Sequence, residues 1–446
     1  MQNFVLTIDT GFSSKRSLYI PLFIIFILAF SVRIAVALKL DPEPIWPDGE
    51  RYNTIADSIL LNGKYPVQES HSAPLLPLVL AGIYKLTDSN GTVTRILFAF
   101  LGILSCGITY LLGKSLFGKK GGILASLTLA IYPFHVYLSS IYEYPQTLFI
   151  FLVCPAVYLL ISSLQTTDSW FRLISSGILF GMAVLTVPTL TTALPFLAIW
   201  ILIGYRQTRS KRVLNAVLFT TSCSLVVFLW SLYAYAGTGK FKLSSGAGAE
   251  TLFKGNCSLA WQIGKGDIAD RYEIEGVPPE QREAYDEYRS VMQEARQFPA
   301  GAERDAVYKY AVKHFFIEKP KEAGLLFLRK AMLYWCPYAM TVTKSEHNNN
   351  LTKIIQIVSF TPIFILALVG IYLQKSKAYL LTPIYIIIIS QWITYSMFII
   401  NARYRAQIDV FLIILATPVM IAIIETFRRI IILNREYKIK MPQGIN

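Results

Sequence analysis

Ten apolar runs, each close to the length needed to cross a bilayer, fix what this chain of 446 residues can fold into. About 17–25 apolar residues are required to span roughly 30 Å of hydrocarbon as a helix. The runs lie near 17–38, 93–113, 121–140, 145–164, 172–187, 188–204, 213–236, 354–374, 378–399 and 407–426. The fifth and sixth are short and meet at Thr186-Val187-Pro188, so either two spans or one re-entrant pair satisfies the pattern. Composition agrees: hydrophobic residues make up 54% and charged residues only 16%, with a mean hydropathy of +0.47. Soluble domains carry about 25% charged residues, so cytosolic, disordered and fibrous classes are excluded. Lys15 and Arg16 precede the first run, and no small-residue cleavage site comes before Arg33; a retained first helix is expected.

The formal charge of +14 would suggest nucleic acid in a soluble protein, but here the bases sort by side of the membrane. Lys15/Arg16, Lys114/Lys119/Lys120, Arg172, Arg206/Arg209/Lys211/Arg212, Lys375/Lys377 and the tail bases Arg428, Arg429, Arg435, Lys438 and Lys440 fall on one side if ten spans alternate. Cytoplasmic loops retain Lys and Arg, so both termini are expected in the cytoplasm of a multi-pass inner-membrane protein. Segments 39–92, 141–144, 237–353 and 400–406 then face outward, and no nucleic-acid partner is called for.

The expected fold class is an all-α polytopic membrane protein with about ten transmembrane helices, interfacial helices and a mostly helical extracytoplasmic domain. Residues 1–236 form the membrane core with its first outer loop at 39–92. Residues 237–353 have soluble-protein composition, and 354–446 supply the last spans and a basic tail. In the first loop, Ala73 to Tyr84 is apolar but too short to span and reads as a helix lying in the interface. In the second outer segment, Glu280–Glu294 and Glu303–Phe316 carry Tyr, Phe and Val at helical spacing. The five cysteines show no CxxC or Cys/His spacing, so neither a metal cage nor a disulfide framework is readable.

Carboxylates near the outer ends of the spans are few, and charge at a membrane site is costly enough to suggest function. Trp46-Pro47-Asp48-Gly49-Glu50-Arg51-Tyr52 places two in the first loop, where Pro47 and Gly49 favour a tight turn; the same pair reads as solvated acids or as a cap for Tyr52–Leu61. Glu143 sits in a short outer loop, and Asp409 just inside the last span. Asn401-Ala402-Arg403-Tyr404-Arg405 puts two guanidiniums on the outer side, where bases are disfavoured. They suit bidentate recognition of a phosphate or pyrophosphate, with Tyr404 packing on lipid or sugar. Snorkelling to headgroups, or pairing with Asp409, is the lesser alternative. His71 and His135 lack a third ligand and read as hydrogen-bonding groups rather than a metal site. Gly255-Asn256 reads most simply as a turn.

Taken in order, these pieces make the chain recognisable. Pro47-Asp48-Gly49-Glu50 with Tyr52, His71-Ser72-Ala73-Pro74-Leu75-Leu76-Pro77, Leu111 to Gly118, and Tyr132-Pro133 followed by Glu143 come first. Leu185 to Thr189, Leu243-Ser244-Ser245-Gly246 with Gly255-Asn256, and Arg403-Tyr404-Arg405 follow. Over most of its length the chain resembles the bacterial C-type, polyprenyl-phosphate-dependent glycosyltransferases, the family 39-like group that includes protein mannosyltransferases and lipid A aminoarabinose transferases. The resemblance implies the C-type fold and a transferase working at the outer face. Its expected partners are a polyprenyl-phosphate sugar donor, membrane lipid, and an acceptor glycan, lipid or protein. It implies Asp48 as general base, Glu50 and Glu143 as orienting or electrostatic groups, and Arg403, Tyr404 and Arg405 on the donor phosphate. Tyr52, His71, Lys240 and Asn256 join as substrate-binding candidates, with Lys242 a further base. Single displacement implies an inverting hexosyl or pentosyl transfer.

Some family members use a divalent cation, but this sequence shows no ligand set for one. It also departs from the family where an arginine is common at Val187 and an Arg-Asn pair is common near Tyr233-Ala234. A lipid-linked sugar transporter or flippase, and a non-catalytic assembly protein, are the rival classes. A transporter should show repeated halves and broken, polar mid-membrane helices, and neither stands out. A polymerase or ligase of lipid-linked glycans differs only in its acceptor.

Overall fold

In a computed structural model of the chain, residues 16–40, 47–67, 72–142, 144–163, 170–204, 208–239, 241–243, 248–264, 277–299, 301–338 and 350–440 are described. Helices account for the regular structure among them. The membrane core opens with α1 (Arg16–Lys39), α2 (Pro47–Asn62), α3 (Leu75–Thr87), α4 (Gly91–Ile131), α5 (Pro133–Ser139) and α6 (Gln146–Ser163). It continues with α7 (Trp170–Thr186), a 3-10 turn at Pro188–Ala193, α8 (Leu194–Ile203) and α9 (Arg209–Thr238). Five helices follow: α10 (Gly248–Gly255), α11 (Ser258–Ile263), α12 (Arg282–Arg296), α13 (Ala302–Glu318) and α14 (Pro320–Leu333). The chain re-enters the bundle with α15 (Asn350–Leu373), α16 (Ala378–Met397) and α17 (Ala402–Lys440).

Among the described residues, seven helices are long and apolar enough to cross a membrane. Eight of the ten runs of sequence map onto these seven, and the other two form shorter apolar helices. Two runs share α4, whose backbone breaks at Gly118 with φ 75°, a conformation glycine adopts at little cost. The helix folds back on itself there: Ser126 Oγ donates to the Cys106 carbonyl at 2.9 Å, and Gly122 lies against Tyr110 so closely that a Cβ would come within 2.6 Å of its carbonyl oxygen. The two short runs are α7 and the 3-10 turn with α8, separated at Val187 as the Thr-Val-Pro break predicts. Ser176 Oγ donates to Ala156 O at 2.8 Å, bringing α6 and α7 together antiparallel.

α6 is buried nearly all round, whereas α1, α9 and α15 expose rows of Ile, Leu, Phe and Val. Helices apolar on every side are core elements or lipid-facing spans, and both kinds are present. Arg33 is the largest buried side chain of α1. Its guanidinium donates to Ser139 Oγ (2.9 Å) and to the carbonyls of Leu129 (3.0 Å) and Ala130 (2.8 Å). These are last-turn carbonyls of α4, which Pro133 prevents from finding a helical partner.

The five helices α10–α14 have an apolar cluster of their own, including Phe253, Tyr288, Tyr308, Val312, Phe315 and Leu326. α12 and α13 fall where the sequence spacing predicts them. Short α3 also matches the apolar stretch in the first loop, and Tyr84 Oη on it donates to Asn53 Oδ1 at 2.6 Å, seating α2.

Candidate active site

The first correction concerns Asp48 and Glu50. They do not sit in a tight turn; they lie in the first turn of α2, which starts at Pro47. Proline is favoured at a first helical position, and acidic residues there face the positive end of the helix dipole. Helix geometry then separates the two carboxylates, because residues i and i+2 point to different sides. Asp48 is partly buried and Glu50 is exposed.

Asp48 meets the start of α17. Its Oδ2 accepts from Arg403 Nη1, a partner 355 residues away in sequence, and its Oδ1 accepts from Arg51 Nη2 at 2.9 Å. Both carboxylate oxygens are therefore held by guanidinium groups. Burial pushes the Asp48 carboxyl up, but the charges of Arg403 and Arg51 outweigh it and hold the group below its ordinary value of 3.8. Asn401 sets the start of α17 by accepting from the Arg403 backbone N–H at 3.1 Å, an N-cap bond.

Aromatic rings wall this pair. The Arg403 guanidinium carbon lies 4.6 Å from the Tyr144 ring centroid and 5.2 Å from that of Tyr404. Tyr404 stacks on Tyr395 at 4.4 Å with the rings 5° from parallel. Tyr395 Oη accepts from Thr189 Oγ1 at 3.2 Å and from Gln407 Nε2 at 2.9 Å. One face of Tyr404 is thus already covered, and the Leu185–Thr189 motif reaches the site through Tyr395. Tyr52, one turn after Asp48, is buried against the core and lies under Arg51 at 5.5 Å. Burial, with the Asp48 charge beside it, raises the Tyr52 phenol and keeps it protonated.

Arg405 requires the second correction. It does not join Arg403 facing a phosphate: its guanidinium is buried, pairs with Asp409 one turn on at 3.3 Å, and donates to the carbonyls of Cys336 and Pro337. The Phe360 ring covers it at 3.6 Å. The physical reason is helical period: Arg403 and Arg405 are two residues apart and point to different sides of α17. Asn256 is likewise spent, donating to the carbonyls of Leu252 (2.8 Å) and Met397 (2.7 Å). Lys242 Nζ donates to Val67 O at 2.7 Å and ties the first outer segment to the end of α9. Glu143, His71 and Lys240 lie outside the described residues.

Sequence reasoning passed over Arg51, Tyr144 and Tyr395. Arg51 is the one with a readable signal, since on a helix its i+3 spacing from Asp48 makes a neighbour of it. No three His, Cys, Asp or Glu side chains gather among the described residues where they could hold a metal. With both Asp48 oxygens on guanidiniums, the described groups do not fit a divalent cation.

Comparison with known proteins now bears on this arrangement. Residues 70–233 match the model of the dolichyl-phosphate-mannose-protein mannosyltransferase family. No curated protein sequence matches the chain. In fold it is similar to the apo oligosaccharyltransferase of Archaeoglobus fulgidus, with a TM-score of 0.56, 15% identity, and coverage of 98% of this chain and 54% of that one. The oligosaccharyltransferase AglB of the same organism, solved with an inhibitory peptide and a dolichol-phosphate, gives 0.54, 13%, 97% and 53%. ArnT from Cupriavidus metallidurans, in the apo state, gives 0.39, 15%, 91% and 78%. The chain spans about half the length of the archaeal enzyme. The resemblance read from the motifs is borne out: the fold is that of the C-type glycosyltransferases, and the segment from α3 to α9 carries the sequence pattern of the mannosyltransferase family.

Proposed function

We propose that this protein transfers a sugar from a polyprenyl-phosphate donor to a hydroxyl-bearing acceptor at the outer face of the inner membrane, with both termini cytoplasmic. The observation that carries the reading is the joining of Asp48, at the N-terminus of α2, to Arg403, at the start of α17. A carboxylate and an anion-binding guanidinium from opposite ends of the chain are what a glycosyl transfer onto a hydroxyl requires. The C-type fold and the dolichol-phosphate held by the archaeal relative support a lipid phosphate as the donor's leaving group.

In this reading the acceptor oxygen attacks C1 of the sugar and its proton passes to Asp48. The bond between C1 and the phosphate oxygen breaks, and its electron pair stays on the lipid phosphate, whose charge falls on Arg403. Attack opposite the leaving group inverts the anomeric centre. In the donor-free protein Asp48 is a poor base, because two guanidiniums hold it. Arg403 Nε has no hydrogen-bond partner among the described residues and offers a donor to an incoming phosphate. A phosphate that draws Arg403 away relieves Asp48 of one positive charge and makes it a stronger base as the substrate arrives.

The test is transfer of labelled sugar from a panel of polyprenyl-phosphate sugars by purified protein in nanodiscs. Donor consumption that needs both Asp48 and an added acceptor supports the reading. Folded protein that consumes no donor, and binds no polyprenyl phosphate, overturns it.

A further inference from the structure

Lys330, on α14, is fully buried. Among the described residues, its ammonium group is met by oxygen acceptors and not by a carboxylate. It donates instead to Gly255 O (2.9 Å), Asn256 Oδ1 (2.9 Å) and Phe398 O (3.0 Å), with Met397 O at 3.4 Å. Met397 and Phe398 close α16, so Lys330 and Asn256 together satisfy carbonyls that the end of that helix leaves open. Gly255 completes the joint. A Cβ there would fall 1.9 Å from Phe398 O, so only glycine allows the two backbones to approach this closely.

The joint lies one short segment before the active arginine. From Phe398 the chain runs through Ile399 and Ile400 to Asn401, which caps α17, and Arg403 follows in the first turn. The same face of α14 makes a second contact one turn on. Tyr334 stacks on Tyr395 at 6.2 Å, and Tyr395 carries Tyr404. Two successive turns of α14 thus bear on the two ends of the segment that presents Arg403.

We infer that Lys330 is a positioning residue for donor binding: by clamping the carbonyls at the end of α16 to Gly255 and Asn256, it sets where Arg403 emerges toward Asp48 and the lipid phosphate. The inference rests on the proposed role of Arg403. Isolated burial of an ammonium is costly, and desolvation lowers the Lys330 pKa to about 7, with Cys257 the titratable neighbour that opposes the shift. A cost of that kind at a joint between two helix ends is consistent with a geometric task, because neutral residues could fill the same volume without it.

The experiment is a double-mutant cycle read by binding of polyprenyl phosphate to purified protein in nanodiscs, with melting temperature measured alongside. Lys330→Met is expected to weaken binding about tenfold, the order expected for losing hydrogen bonds from a charged group. In an Arg403→Ala background the same change should alter binding less than about twofold, since the group being positioned is gone. If Lys330→Met does not fold, Asn256→Ala, which cuts the bond to Met397, takes its place in the cycle. Equal losses in both backgrounds, or wild-type binding by Lys330→Met, would overturn the inference. Failure of the wild-type protein itself to bind polyprenyl phosphate would instead overturn the donor reading on which it rests.

Discussion

Replacing Asp48 by Asn keeps the size of the side chain and removes its charge, and the structure gives that change two effects of opposite sign. With Asp48 as the proposed general base, the variant cannot accept the acceptor's proton, so turnover should fall by about 10²–10⁴-fold. As the resting partner of Arg403, Asp48 would, under the proposed function, compete with the donor phosphate for the same guanidinium. The two side chains are 25% and 23% exposed, so after solvent screening the pair is worth about 1 kcal/mol. Freeing Arg403 should then tighten polyprenyl-phosphate binding by about fivefold. Turnover is read from labelled donor, and binding from titration of nanodisc-embedded protein with polyprenyl phosphate. A folded variant that loses binding and turnover together would refute the reasoning, because Asp48 would then be a strut holding Arg403 in place. Wild-type turnover would refute it from the other side.

Arg405→Ala should lower stability by about 3–5 kcal/mol, because it strands the buried Asp409 carboxylate; Arg405→Met with Asp409→Leu should recover most of the lost melting temperature. A stable Arg405→Ala protein with weakened donor binding would return Arg405 to the phosphate. Glu50→Gln should change turnover by less than about twofold, since the side chain is an exposed group on the far side of the first turn of α2. The Asp48 pair also has an acid signature. Its folded pKa lies below the ordinary 3.8, so its stabilisation is complete above that value and is lost as pH falls from there through the depressed pKa. The melting-temperature difference between wild type and Asp48→Asn should therefore be constant at neutral pH and shrink below about pH 4; a difference that shrinks already between pH 7 and pH 5 would contradict the pairing.

Much of the fold was legible because bilayer length and helical period leave few choices. The run near 93–113 and the one at 121–140 could be read as two spans even though hydrogen bonding joins them as α4, since the apolar pattern does not depend on how Gly118 turns. The break at Val187 was legible from Pro188 for the same reason. The site was legible only in part. Asp48 and Arg403 were named, but their meeting across 355 residues is a tertiary fact. Reading Pro47 and Gly49 as a turn hid the helical phase, which is what separates Glu50 from Asp48 and brings Arg51 beside it. The same neglect of phase paired Arg405 with Arg403, although their two-residue spacing on α17 sends one inward to Asp409. Lys330 was out of reach, because nothing local marks a lysine whose partners are carbonyls 67–75 residues away.

The two positions where the resemblance implies arginines are filled in a way that bears on the proposed donor site. Val187 is buried in the main apolar core at the break between α7 and the 3-10 turn, so a guanidinium there would have to be accommodated inside packed hydrocarbon. Tyr233 reaches back to the first outer segment, where its hydroxyl accepts from the Tyr65 N–H at 2.9 Å. Trp230 lies beside both rings, 5.0 Å from Tyr65 and 5.7 Å from Tyr233. Lys242, a further base beyond the end of α9, spends its ammonium on Val67 O. Thus α7 and α9 contribute packing and a tether for residues 65–67 where the resemblance implies charge. Under the proposed function, the phosphate must find its cations elsewhere, and the described residues offer Arg403 with Arg51 across the Asp48 carboxylate. That grip comes from the first and last helices around the site rather than from the segment with the strongest family pattern. Under that proposal the residues at Val187 and Tyr233 are compatible with donor binding, because the two guanidiniums it calls on, Arg403 and Arg51, both stand at Asp48.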